Sequence, residues 1–180
     1  MNFKNLTTEE LEKLSGHKMS YVRWDVAKHP STSTAVLDKL SKDKDPYVRS
    51  AVARNSKTPA SVLKKLSEDN NWNVKFSLSN NPNAPSSALE ILSADSEMVV
   101  RRNVAQNPNT SISTLERLSR DSYGHIRNFA ILNPNNFRIR YMLKVVLQMP
   151  IITFTTRVDS NVVRLTHWVE TFFVYNSELI

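Results

Sequence analysis

The stretch LEILSADSEMVVRRNVAQNP, Leu89–Pro108, decides the fold. It opens with Leu89 and Leu92, three residues apart, followed by Ser93 and Asp95. Val100 and Val104 then stand four apart, the spacing of one helix face. It closes on Asn107-Pro108. A proline pushes the residue before it out of the α region, so the second helix must end there. Two short helices joined by a polar turn are the reading.

The same pattern recurs every 26 residues on both sides. Leu11, Leu37, Leu63, Leu89 and Leu115 form one column, and Leu14, Leu40, Leu66, Leu92 and Leu118 another. Ser15, Ser41, Ser67, Ser93 and Ser119 follow directly. Later in each unit come Val22, Val48, Val74, Val100 and Ile126, each followed by a base. The unit boundary reads His29-Pro30, Asn55-Ser56, Asn81-Pro82, Asn107-Pro108 and Asn133-Pro134. Chance does not keep that many columns in one register, and self-similarity at a fixed short period marks a repeat array.

Local chemistry agrees. Thr7 with Glu10 makes a capping-box pattern ahead of Leu11. Asp45 stands ready to cap a helix with Pro46 at its first position, and Thr58 with Pro59 repeats the arrangement. Ala27, Ala53 and Ala105 are small enough to let helices approach closely. No unit of this size buries its apolar face alone, so neighbours must stack and share one continuous core. The expected fold is all-α, a solenoid of five 26-residue two-helix units over residues 7–136. Residues 1–136 form the array and residues 137–180 a divergent segment.

The run Leu-x-x-Leu-Ser-x-Asp, then Val-Arg-x-x-Val-Ala-x-Asn-Pro, resembles the leucine-rich-repeat variant family, and beyond it the HEAT repeats. The resemblance covers about residues 7–136. It implies a right-handed superhelix of paired short helices without strands, and no settled biochemical activity. The family's known cysteine-bound iron–sulfur module does not carry over, because this chain has no cysteine.

Composition narrows the function. The absence of cysteine excludes disulfides and thiolate metal sites. His17, His29, His125 and His167 make no metal-ligand spacing, so no metal and no cofactor are expected. Gly16 and Gly124 are the only glycines, which argues against a phosphate loop. The N-terminus has no signal-peptide core and no stretch is long enough to span a bilayer, so a cytoplasmic, soluble protein is expected. The formal charge of +7 raises the prior for an anionic partner.

Two charged columns are candidates for function. Arg23, Arg49, Lys75, Arg101 and Arg127 read either as a phosphate ladder or as a structural one. The structural reading is favoured, with Asp43, Asp69, Asp95 and Asp121, six residues upstream of their bases, as partners across the turn. The second column, Lys13, Lys39, Lys65 and Arg117, lies on the Leu-x-x-Leu helix, expected on the concave face. There it could track a nucleic-acid backbone. Glu12, Asp38, Glu90 and Glu116 beside it would weaken that field. Trp24 and Trp72 occupy different unit positions and read as packing residues rather than an aromatic row.

The leading function is a non-enzymatic scaffold that binds a macromolecule, with protein the first choice of partner. Nucleic-acid binding through the second basic column is the alternative. A DNA glycosylase of HEAT-like type is a remote third. After Pro134 the register fails, with Tyr141 and Lys144 at the leucine positions. The tail, with Trp168, Phe172 and Phe173, is apolar enough to cap the array or to join two copies.

Overall fold

A computed structural model describes residues 6–136. Among these the chain forms ten helices and no strand: α1 (Thr8–Leu14), α2 (Ser20–Lys28), α3 (Thr34–Leu40), α4 (Pro46–Arg54), α5 (Ala60–Leu66), α6 (Trp72–Ser79), α7 (Ser86–Leu92), α8 (Met98–Gln106), α9 (Ile112–Leu118) and α10 (Gly124–Leu132). The odd-numbered helices carry the two leucines and are short; the even-numbered ones carry the Val-Arg pair. The expectations for the tail lie outside the described residues.

The helix starts follow the capping chemistry, with one correction. The Thr7 hydroxyl accepts from the Glu10 N–H while the Glu10 carboxylate accepts from the Thr7 N–H. The Asp45 carboxylate accepts from the Tyr47 N–H, with Pro46 at the first helical position. Thr58, expected to cap α5, does not. Pro59 is the N-cap, and the buried Thr58 hydroxyl turns back to donate to the Val52 carbonyl at 2.6 Å. Thr32 and Thr110 make the same bond to Val26 and Val104. The hydroxyl therefore satisfies a carbonyl at the end of the preceding long helix, one of the acceptors that every helix C-terminus leaves open.

The core runs along the array as one cluster from Leu11 to Ala130. Leu37, Leu63, Leu89 and Leu115 are fully buried, as are Val48, Val74, Val100 and Ile126. Ala27, Ala53 and Ala105, with Ser79 in the same column, are buried where successive long helices meet. A further buried column precedes the first leucine: Val36, Val62, Ala88 and Thr114. The long helices pack directly on one another, α2 on α4, α4 on α6, α6 on α8 and α8 on α10. The short helices pack mainly on long ones. One layer is thus tightly stacked by small residues, and the other is spaced by leucines.

Candidate interaction surfaces

The basic column after each valine is held by the following unit. Arg23 Nε donates to Asp43 Oδ2 at 2.5 Å and Nη2 to Oδ1 at 2.8 Å. Arg49 grips Asp69 in the same way, and Arg101 grips Asp121. Lys75 reaches Asp95 with a single ammonium at 2.5 Å. Arg23, Arg49, Lys75 and Arg101 therefore each pair with the acid twenty residues downstream, not one six upstream. What the upstream acid supplies is its backbone: Arg49 Nη1 donates to the Asp43 carbonyl at 2.7 Å, and Arg101 Nη1 to that of Asp95. One planar guanidinium with several fixed donors clamps its own turn and the next at once. Among the described residues Arg127 makes the first half of this clamp, to the Asp121 and Ser122 carbonyls.

Burial opposes the charge on Asp43, but the hydrogen bonds from Arg23 and the Asp45 N–H, with the Arg23 charge, hold its carboxyl below the usual range. The hydrogen bond from Arg101 does the same for Asp121. These cations are engaged in architecture.

The unit-boundary asparagines form a second ladder that the sequence reading missed. Asn55 Nδ2 donates to the Ala27 and His29 carbonyls at 2.7 and 3.2 Å. Asn81, Asn107 and Asn133 each repeat this against the unit before. All four are buried. Their Oδ1 atoms meanwhile accept from the N–H two residues on, tightening the turn. The signal was in the sequence as the Asn column, where Pro-enforced helix termination was an adequate explanation and hid the side-chain role.

The second basic column is only partly free. The serine hydroxyls beside it donate to the carbonyl three residues earlier, as in Ser15 to Glu12 at 2.6 Å. Lys39 then donates to the Ser15 hydroxyl at 3.0 Å, and Arg117 donates to the Ser93 hydroxyl and to the Glu90 carbonyl. Lys13 and Lys65 are exposed. Asp38, beside Lys39, is paired with Lys42 at 3.0 Å. The short-helix layer is therefore a surface of mixed charge, part of it tied across units.

A different row emerges at the first turns of the long helices. Met19 and Tyr123 stand at N-cap positions, Trp72 and Met98 at the first helical position, Tyr21 and Tyr47 at the second. All are exposed, Tyr47 by 65% and Trp72 by 49%. Trp72 is thus not packed away, and it does belong to a row. Reading strict columns concealed this, because the large side chain shifts by one position from Tyr47 to Trp72 and by one more from Met98 to Tyr123. Trp72 meets Phe76 edge-on at 6.0 Å, and Arg101 lies 5.8 Å from the Tyr123 ring. Trp24 is half-buried, with the Lys28 ammonium 3.8 Å above its ring.

Residues 99–122 match the leucine rich repeat variant family. The match bears out the resemblance seen in the sequence. The variant repeat is a HEAT-like helical repeat, in agreement with the all-helical fold. The matched span runs from α8 through α9 and contains both members of the Arg101–Asp121 clamp, with Asn107 between them. It therefore covers a complete joint between successive long and short helices. No curated protein matches the chain. Variant repeats are scaffold elements in general. Among the described residues no helix is long and apolar enough to cross a membrane, and no group of acids or histidines is placed to hold a metal ion.

Proposed function

We propose that this chain is a non-enzymatic scaffold that binds a protein through the edge formed by the first turns of its long helices. One observation carries the reading: Tyr21, Tyr47, Trp72, Met98 and Tyr123 are exposed in successive units along that edge. Large apolar side chains held in water forgo the stabilisation that burial would bring. Aromatic and methionine side chains are the types enriched where protein interfaces desolvate. The rest of the repeated pattern is accounted for by core, clamps and caps, so this row stands apart from the architecture.

Nucleic-acid binding through Lys13, Lys39, Lys65 and Arg117 has less support. Lys39 and Arg117 already bond to the preceding unit, and acids are interleaved among the four. A glycosylase reading draws nothing from the geometry described.

The test is site-specific photocrosslinking in cells, with the crosslinker at position 47 or 72 and, for comparison, at position 65. A defined protein adduct from the row, lost when the neighbouring row residues are changed to alanine, is the expected result. Adducts from position 65 alone would overturn the proposal.

A further inference from the structure

Resting on that reading, we infer that the partner presents an acidic polypeptide segment with apolar side chains interspersed, laid across the long-helix layer. The charge of this layer is one-sided. The five long helices contain Arg23, Lys28, Arg49, Arg54, Lys75, Arg101, Arg102 and Arg127 against a single acid, Asp25. Four of these bases are paired with aspartates of the following turns. Lys28, Arg54, Arg102 and Arg127 have no carboxylate partner among the described residues.

Arg102 is the sharpest of these. Its Nε is buried and has no hydrogen-bond acceptor. The residue as a whole is half-buried, so a carboxylate arriving from outside would meet its other guanidinium nitrogens rather than Nε. Arg102 occupies in α8 the place that Trp24 holds in α2 and Phe76 in α6, with Ser50 and Asn128 at that place in α4 and α10. Lys28 already lies over Trp24. The first turns supply the apolar row and the later turns supply Lys28 and Arg54.

A segment carrying both carboxylates and apolar groups matches both strips. A nucleic acid matches less well. Its uniform backbone charge would lie against few unpaired cations. Opposite charge across an interface steers the encounter, while buried apolar anchors hold it.

The probe is a fluorescent peptide of glutamate and aspartate with leucine and phenylalanine interspersed. Its controls are the same peptide with lysine for each acid, and a single-stranded oligothymidine. Fluorescence anisotropy on the full chain should show the acidic peptide bound, weakened about tenfold or more by Lys28→Glu with Arg54→Glu. Both sites are exposed, so the fold should be retained, with circular dichroism as the check. Tyr47→Ala with Trp72→Ala should weaken it too, and Lys13→Glu with Lys65→Glu should not. Tighter binding of oligothymidine, equal binding of the lysine peptide, or indifference to the Lys28 and Arg54 changes would each overturn the inference. Failure here alongside a row-dependent protein adduct would discard only the acidic chemistry. Failure of both would discard the binding edge itself.

Discussion

Arg49 of one unit holds Asp69 of the next by two parallel bonds, Nε to Oδ2 at 2.6 Å and Nη2 to Oδ1 at 3.0 Å. The same guanidinium spends a third donor on the Asp43 carbonyl of the preceding turn. The clamp is largely shielded from water, with the Asp69 side chain 8% exposed. A lone surface pair contributes little, whereas removing one partner of a buried pair strands the other.

Asp69→Ala should therefore destabilise the array by about 2–4 kcal/mol, because Arg49 loses its acceptors where water reaches poorly. Asp38→Ala, which removes the exposed pair with Lys42, should leave urea unfolding unchanged. Similar midpoints for the two variants would show that the clamp adds nothing to stability.

Asn107→Ala would leave the Ser79 and Asn81 carbonyls without their buried donor. The expected loss is about 1–3 kcal/mol, read from chemical denaturation. Asn107→Asp should do no better, since a carboxylate accepts and the site asks for a donor. Full stability in the aspartate variant would contradict the ladder.

Leu66 is buried at the end of α5 against the continuous core. Leu66→Ala should cost about 2–5 kcal/mol in thermal or chemical unfolding, from lost burial and the cavity left behind. A near-neutral result would place Leu66 outside the core.

Acid should loosen the array through its clamps. Asp43 and Asp121 have folded-state pKa values lowered by their arginines and backbone donors. A group whose pKa is depressed on folding contributes stability that is present above its unfolded value, about 4, and lost as pH falls through the folded one. Thermal midpoints should thus fall as pH drops below about 4, and Asp43→Asn should flatten part of that dependence. An unchanged acid profile in that variant would show that Asp43 does not contribute.

How much of this was legible follows from what repeats. The period, the leucine and valine columns, the capping box at Thr7 and the Asp45 cap are local patterns. Spacing alone reveals them. Helix type, helix ends and the need to stack follow from hydrophobic periodicity and proline placement, which depend on neighbours within one or two turns. The family match at residues 99–122 spans Val100, Leu115 and Leu118 of those columns.

Partner choice between columns was not legible. Arg49 has an aspartate six residues before it and another twenty after, and chain proximity favours the nearer. Stacking brings the farther one to the guanidinium and leaves the nearer with only its carbonyl in reach. The same holds for Asn55, whose acceptors lie 26 and 28 residues back. The exposed row needed tertiary structure for another reason. Tyr47, Trp72 and Tyr123 stand at the starts of stacked long helices but not in one column, and only the structure shows that they are exposed.

By itself, then, the sequence determined the repeating helical unit and its core, because helix formation and burial obey short-range periodicity. The tertiary structure decided which charges are consumed between units and which side chains remain for a partner. Those outcomes depend on distances set by stacking, which no local pattern encodes.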